Sequence, residues 1–343
     1  MYRLAVVTLL FASCAIRIPS APMAAQDGDV LLRNEPFSVA IVSDFAAGGD
    51  ALADALAAAK PDLLVLAGNA IDRSRTDDWI ALFDAVGGIP VVPLPGDGER
   101  RGDRSLDRFL ASWQGLGVDG LPDPVSWRAF VVSTPSRRWR FVVLDADRAN
   151  LDGGWNNQLH WIPKAATAGD EPLVVLLAHP PRSLTAGRDA AAEELVALLR
   201  EHADPPRVVL VASGGAAAPE LVLPGGRWGE AWLAAGPPAP PVGPLPRSAD
   251  DLVLAPPADA ALTGWFAGAL DDAGRQALAA APAYDERWPV AGFWWLTFTE
   301  GAIGCELRLF HDGTWVPLPL VRWSADSGWT AIDAENEAAS VGP

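Results

Sequence analysis

Short apolar runs that alternate with helical stretches constrain the fold of this chain more than any other feature. Phe37–Val42, Asp62–Ala67 and Ile89–Leu94 are almost wholly apolar. Between them, Asp50–Lys60 is rich in alanine and Asp77–Val86 has the apolar spacing of an amphipathic helix that opens on acidic residues. Strands that lack polar alternation are buried on both faces, so the pattern predicts a sheet covered on both sides.

The rest of the chain adds hairpins and further strand–helix units. The sequence predicts a hairpin of Trp127–Ser133 with Trp139–Asp145 around Pro135 and Ser136. Further predicted elements are a strand Pro172–Ala178, a helix Arg188–His202, a strand Arg207–Ala212, a hairpin of Leu221–Leu223 with Glu230–Ala234, and the strands Phe293–Thr299, Ile303–Phe310 and Trp315–Leu318.

Polar or glycine-rich blocks directly follow several of these predicted strands. They are Ser43-Asp44-Phe45-Ala46, Gly68-Asn69-Ala70-Ile71-Asp72, Gly96-Asp97-Gly98-Glu99, the single His179, and Gly214-Gly215-Ala216-Ala217. In sheets of this kind the reactive loops lie at the carboxyl ends of the strands. We therefore expect Asp44, Asn69 and Asp97 to lie at one edge of the fold.

In order and spacing, the blocks resemble the signature of the calcineurin-like metallophosphoesterases: D-x-H, G-D-x-x-D, G-N-H-[DE], an isolated His, and G-H-x-H. Residues 157–162, with the sequence Asn-Gln-Leu-His-Trp-Ile, resemble the Q-x-x-W-L stretch that opens a helix in the purple-acid-phosphatase-like branch. The resemblance covers residues 35–320. It implies an α/β fold, a metallophosphoesterase-like four-layer αββα sandwich with two mixed β-sheets face to face.

The resemblance also implies phosphoester hydrolysis by two metal ions, yet most of the ligands are replaced. In such sites two cations about 3.5–4 Å apart bind the phosphate and activate a bridging hydroxide. By position in the blocks, Asp44 keeps the first carboxylate, His179 keeps the isolated imidazole, and Asp97 stands at an Asn ligand. Asn69 stands at the bridging carboxylate. The histidines of the family are replaced by Ala46, Gly98, Gly215 and Ala217.

This ligand set predicts that the binuclear centre is lost. A neutral amide at Asn69 cannot offset the repulsion between two adjacent dications, and no imidazole pair remains for zinc, iron or manganese. One hypothesis is that Asp44, Asn69, Asp97 and His179 hold a single hard divalent cation such as Ca²⁺ or Mg²⁺. The alternative is that they only form local hydrogen bonds, as Asx side chains often do. No catalytic residue and no other cofactor is predicted.

Three functions remain open, because fold alone does not decide function. The first is a pseudo-phosphatase with a binding or scaffolding role. The second is a divergent phosphomonoesterase or phosphodiesterase with a rebuilt single-metal site. The third is an envelope protein that binds a glycan or protein through a proline-rich insertion or through tryptophans 155, 161, 228, 232, 265, 294 and 295. The net charge of −17 argues against nucleic acid or an anionic membrane surface as the partner.

The amino terminus predicts export. Arg3 precedes the apolar run Leu4–Ile16, and small residues follow at Ala24 and Ala25. This is the layout of a signal peptide over residues 1–25 and is too short for a comfortable membrane span. Leu10–Cys14 resembles a lipoprotein box, so acylation of Cys14 would anchor the protein in a periplasmic or cell-envelope location. Cys305 is then the remaining thiol, and its apolar surroundings predict a buried, unreactive group.

Two further segments are predicted from composition. Residues 236–289 begin with a dense series of prolines and are interpreted as an insertion before the last hairpin. The insertion would either cover the site or form a plain surface excursion. Residues 330–343 are acidic and are predicted to form a disordered tail.

Overall fold

The computed structural model describes residues 28–71, 76–86, 88–100, 109, 126–148, 154–183, 187–203, 207–215, 220–222, 230–235, 292–311 and 314–331. The predicted signal peptide, Cys14, the 236–289 insertion and residues 332–343 lie outside these ranges. In the described part of the chain no helix is long and apolar enough to cross a membrane.

In chain order the strands and helices form two large sheets with helices on their outer faces. The elements are β1 Val30–Leu32, β2 Phe37–Val42, α1 Phe45–Ala59, β3 Leu63–Ala67, α2 Thr76–Ala85, β4 Val91–Leu94, β5 Arg128–Ser133, β6 Arg138–Leu144, α3 Gly154–Thr167, β7 Leu173–Leu177, β8 Arg182–Ser183, β9 Gly187–Arg188, α4 Ala190–His202, β10 Val208–Ser213, β11 Glu220–Val222, β12 Ala231–Ala234, β13 Gly292–Thr299, β14 Ala302–His311, β15 Thr314–Ser324 and β16 Gly328–Ala331.

Both large sheets mix parallel and antiparallel pairs. Sheet 1 has the order β16-β15-β14-β13-β2-β3-β4, and its strands β2, β3 and β4 are parallel. Sheet 2 has the order β1-β5-β6-β7-β10-β12-β11, and its central strands β6, β7, β10 and β12 are parallel. The strands β8 and β9 form a separate two-stranded sheet.

Alternating strand residues separate the core into an inner and an outer layer. The inner cluster is drawn from strands of both sheets, with Phe37, Phe141 and Phe298 in mutual ring contact. The outer cluster joins the opposite strand faces to the helices, as with Leu56 of α1 and Leu195 of α4. The predicted four-layer sandwich is thereby confirmed, because side chains one residue apart in a strand point to opposite faces.

The ends of the domain differ from the predicted bounds. The strand β1 precedes residue 35, and β15 continues to Ser324, beyond the predicted limit at residue 320. Thr330 and Ala331, placed in the predicted tail, belong to β16. Trp329 of β16 donates its indole N–H to the Val209 carbonyl at 2.7 Å, which links the last strand of sheet 1 to sheet 2.

Helix α1 also differs from its prediction, and the difference shapes the site. It begins at Phe45, immediately after β2, rather than at Asp50. Asp44 precedes it with a left-handed backbone, φ 49°, and makes no side-chain capping bond. At the other end Lys60 is also left-handed, and its N–H donates to the Leu56 carbonyl before Pro61 ends the helix.

Candidate functional site

The predicted blocks lie together at one edge of the sandwich, where the parallel strands end. We call this region the loop crevice and define it by residues 43–46, 68–71, 96–99, 179 and 214–215. The two sheets meet here: a Cβ atom placed on Gly68, after β3, would lie 3.5 Å from Cβ of Ala178, after β7. The strand order therefore brings Asp44, Asn69 and Asp97 to one edge, as expected from the sequence.

Gly214 permits the closest approach between the sheets. A Cβ atom on this residue would overlap the carbonyl oxygen of Ala67 and lie 2.9 Å from Oγ of Ser43. No side chain can occupy that position without displacing backbone. The glycine that opens the fifth block is thus required by the contact between β10 and β3.

Glu99 joins two of the crevice loops through backbone hydrogen bonds. Its side chain is buried, at 1% exposure. One carboxylate oxygen accepts from the N–H groups of Asn69 and Gly96, both at 2.9 Å, and the other accepts from Ile71 at 3.1 Å. Burial raises the pKa of Glu99, and the three N–H donors oppose that rise. The carboxylate holds the loops after β3 and β4 in one arrangement.

The side chain of Asn69 also binds the loop after β4. Its amide oxygen Oδ1 accepts from the Gly98 N–H at 2.6 Å, and its own backbone is left-handed with φ 53°. Asparagine tolerates that conformation better than most residues. A Cβ atom on Gly98 would lie 3.0 Å from the same Oδ1. Oδ1 of Asn69, the residue that the resemblance aligns with the bridging carboxylate, is therefore engaged by protein, and a side chain at residue 98 would press against it.

Asp44 is bonded to Ser43 of its own block and to Gly68 of the second block. Its Oδ2 accepts from Oγ of Ser43 at 2.9 Å, and its N–H donates to the Gly68 carbonyl at 3.1 Å. Oγ of Ser43 in turn accepts from the Gly215 N–H at 3.3 Å. These bonds connect the first, second and fifth blocks.

The other two predicted ligands are less constrained. Asp97 is exposed, and His179 is half-buried. A Cβ atom on Gly215, whose φ is +75°, would lie 3.2 Å from Nδ1 of His179. Ala46 lies in the first turn of α1, whereas Asp72 and Ala217 lie outside the described residues.

These donors do not fit a pair of metal ions. Asn69 offers a neutral oxygen that already accepts a hydrogen bond, and Gly98 and Gly215 offer no side-chain donor. Within the described residues, no three His, Cys, Asp or Glu side chains are grouped so that they could hold a cation. The hypothesis of a single hard cation at Asp44, Asn69, Asp97 and His179 remains a prediction.

A buried ion pair beneath the crevice was not predicted from the sequence. Nη2 of Arg100 lies 2.5 Å from Oδ2 of Asp145, and Ser126 donates to the same oxygen. Gln158 of α3 bonds both backbone groups of Asp145, accepting from its N–H and donating to its carbonyl at 2.8 Å each. Arg100 follows Glu99 directly, so the pair ties the loop after β4 to the end of β6. The only sequence signal is that Asp145 ends a predicted strand.

The tryptophans considered for glycan binding lie mostly in the core. Trp155, Trp232, Trp294 and Trp295 are buried, and Trp161 is half-buried against the outer cluster. Trp228 and Trp265 lie outside the described residues. The five described rings therefore form no exposed aromatic face. Cys305 is buried, and burial raises its pKa well above the ordinary range of a thiol, as expected for an unreactive side chain.

A four-layer αββα sandwich with loops of this type at its carboxyl edge defines a protein with a metallophosphoesterase fold. The chain belongs to the calcineurin-like phosphoesterase family, whose model matches residues 37–215. That match spans just over half of the 343 residues and includes every block of the loop crevice. No curated protein sequence matches the chain.

Two solved structures with TM-scores of at least 0.50 share the fold at low sequence identity. The chain is similar to GAP50, described as the anchor in the inner membrane complex of Plasmodium, with 14% identity, a TM-score of 0.50, and coverage of 82% of this chain and 88% of that one. It is similar to PhoD with 13% identity, a TM-score of 0.53, and coverage of 88% and 72%. A dimetal phosphatase from Danio rerio has 14% identity, a TM-score of 0.47, and coverage of 83% and 99%.

Proposed function

We propose that this chain is an exported member of the family that has lost phosphoester hydrolysis and acts as a binding or scaffolding protein. The observation that carries the proposal is the 2.6 Å bond from the Gly98 N–H to Oδ1 of Asn69. It places a neutral, already engaged amide oxygen where two cations would need a shared carboxylate. Hydrolysis of this kind requires a metal-activated hydroxide and a polarised phosphoryl group.

The replacements of the family's metal ligands have a combined effect. Reversing one would not restore the centre, because Ala46, Gly98 and Gly215 each remove a different donor. Glu99 and Gly214 maintain the shape of the loops without contributing to such a centre. A fold that keeps the loop geometry but lacks the metal-binding side chains supports a binding role rather than a catalytic one.

The choice of a protein partner over a glycan rests on the tryptophans. Glycan recognition commonly relies on exposed aromatic rings, and the four buried rings of the described set are unavailable for it. The solved structure of GAP50 has the same fold and is described as an anchor. By analogy with that description, we propose a protein-binding role for this chain in the cell envelope, with Cys14 as the site of a lipid anchor.

Turnover and metal content of the mature protein test the proposal. We expect no hydrolysis of aryl phosphate mono- or diesters with Mn²⁺, Fe²⁺, Zn²⁺, Mg²⁺ or Ca²⁺, and less than one tightly bound metal ion per chain by elemental analysis. The matched variant is Asn69→Asp, which restores the carboxylate alone and should remain inactive. Metal-dependent turnover by the unmodified chain that disappears in His179→Ala would refute the proposal.

A second candidate function is a divergent phosphoesterase with one metal ion. The observation that favours it is that Asp97 is exposed and His179 only half-buried, at the same edge of the sandwich. Those side chains could take a hard cation that accepts oxygen ligands. Binding of one Mg²⁺ or Ca²⁺ that is lost in Asp97→Asn, together with slow turnover, would favour this alternative.

A further inference from the structure

A second concave surface lies at the opposite edge of sheet 1 from the loop crevice. It is an open groove of about 520 Å³ at the amino ends of β3 and β4. We call it the amino-edge groove. Its lining residues are Arg33, Ala57, Lys60, Pro61, Asp62, Val86, Gly88, Ile89 and Pro90.

Two cations face this groove from different elements. Arg33 follows β1 in sheet 2, and Lys60 ends α1 over sheet 1. Nη1 of Arg33 donates to the Leu32 carbonyl at 2.9 Å, which fixes the direction of the guanidinium and leaves other N–H groups available. Among the ion pairs between described residues, none includes Arg33 or Lys60. Such a pair of cations stands out in a chain of net charge −17.

The negative groups at the groove are engaged by neighbouring donors. Oδ2 of Asp62 accepts from both the N–H and the Oγ of Ser38, at 2.8 and 3.0 Å. The Leu56 carbonyl near the end of α1 accepts from the N–H of Lys60 at 2.8 Å. Both donors belong to the neutral Ser38, so Asp62 keeps its negative charge and the groove carries two positive charges against one negative charge. The excess positive charge, with neither Arg33 nor Lys60 in an ion pair between described residues, favours an outside anion.

The rest of the lining is apolar. Val86 and Ile89 are buried beneath the groove, and Pro61 and Pro90 flank them. A volume of this size falls within the range of small-molecule sites, which combine apolar walls with a few placed polar groups. The surface thus offers two positive charges, one carboxylate that is hydrogen-bonded to Ser38, and an apolar floor.

We propose that the amino-edge groove binds a small organic anion. The ligand carries a carboxylate or phosphate group, which lies between Arg33 and Lys60, and an apolar body that rests on Ile89 and Pro90. The site is remote from the loop crevice and does not depend on whether the crevice is catalytic. The proposal therefore stands or falls separately from the proposed function.

Binding of three probes to the mature full-length chain tests the site. Benzoate and phenylphosphonate carry the two anionic groups, and benzyl alcohol has a similar apolar body without charge. By isothermal titration calorimetry, or by amide shifts in an NMR titration, we expect at least one anion to bind while benzyl alcohol does not. Binding should weaken as ionic strength rises to about 0.15 M, because salt screens the two cations. The stronger of the two anions identifies the preferred charged group.

Charge-removing variants locate the binding. Arg33→Gln with Lys60→Gln should weaken binding of the stronger anion by about tenfold or more, because both positive charges of the groove are removed. Arg322→Gln removes an exposed arginine of β15 elsewhere on sheet 1 and should leave binding unchanged. Lys60→Arg should retain it, which separates loss of charge from loss of folding. Equal affinity for benzyl alcohol, unchanged binding in the double variant, or no binding of either anion would overturn the proposal.

Discussion

The two sides of the loop crevice keep their shape in different ways. On the side of sheet 1, the loops after β3 and β4 are joined by side chains, with Glu99 accepting from three N–H groups and Asn69 accepting from Gly98. On the side of sheet 2, the loop after β10 relies on glycines that fit against Ala67 and His179. The comparison shows that the loop geometry is maintained by hydrogen bonds from backbone N–H groups on one side and by close packing of glycines on the other. Glu99 and Gly214, which make the central contacts on the two sides, are not among the candidate metal ligands.

The largest expected effect is on the side of sheet 2. Gly214→Ala would force Cβ into the Ala67 carbonyl, and moving backbone apart is costly. We expect a loss of about 3 kcal/mol or more in the free energy of unfolding, at the upper end for overpacking. Urea unfolding followed by far-ultraviolet circular dichroism measures it.

The matched control for that variant is Gly304→Ala. A Cβ atom there would meet Thr297 at 3.8–4.0 Å, which is ordinary contact, so its stability should stay close to that of the unmodified chain. If the two alanine variants unfold at the same urea concentration, the contact between β10 and β3 does not require glycine.

The next largest expected loss of stability is on the side of sheet 1. Glu99→Gln keeps one acceptor oxygen but places an NH₂ group against at least one backbone N–H. A buried donor without an acceptor costs about 1–3 kcal/mol, and we expect a loss of about 2 kcal/mol in the free energy of unfolding. Asp97→Asn, at the exposed neighbouring position, should change stability little. Equal stability of the two variants would show that Glu99 does not hold the loops together.

A smaller effect distinguishes backbone strain from crowding. Gly215→Ala and Gly88→Ala both place alanine at a positive φ, +75° and +79°, which costs about 1–2 kcal/mol. Gly88 has open space around it, whereas Gly215 is crowded by Ala178 and His179. We expect Gly215→Ala to lose a few tenths of a kcal/mol more than Gly88→Ala. A greater loss for Gly88→Ala in thermal or urea unfolding would contradict the crowding at the crevice.

The smallest expected change in stability is at Glu171, which lies away from the crevice. Burial acts to raise its pKa, but hydrogen bonds and the charges of Arg140 and Arg138 outweigh burial and lower it. A carboxyl with a lowered folded-state pKa stabilises the fold above the unfolded value of 4.5. That contribution is lost as the pH falls below 4.5. Glu171→Gln should therefore lower stability at neutral pH, and the gap should narrow in acid; a gap independent of pH would rule this out.

Much of the fold could be predicted because each central strand is a short run of apolar residues in the sequence. β2 begins and ends where the sequence predicts, and both predicted hairpins form. β16 was missed because four residues around Trp329 carry no clear strand pattern, and its position is fixed by pairing with β15. Helix α1 starts earlier than its alanine-rich part because β2 delivers the chain directly into it at Phe45.

The candidate site was predictable in position but not in its bonding. The order of the blocks placed Asp44, Asn69, Asp97 and His179 at the ends of strands. Nothing in the sequence showed that Asn69 accepts from Gly98 or that Arg100 pairs with Asp145, since these contacts join residues far apart in the chain. Glu99 is the last residue of the third block, so its place was visible, while its three backbone partners required the folded structure.

The strand β16 covers part of the outer edge of β15. Pro317 and Pro319 lack N–H donors, which makes the first part of β15 a poor template for another strand, whereas Val321–Ser324 is covered by β16. A chain shortened before Gly328 would bare that second part and would also lose the bond from Trp329 to Val209. Such a truncated protein would be prone to dimers or aggregates that grow edge to edge through β15.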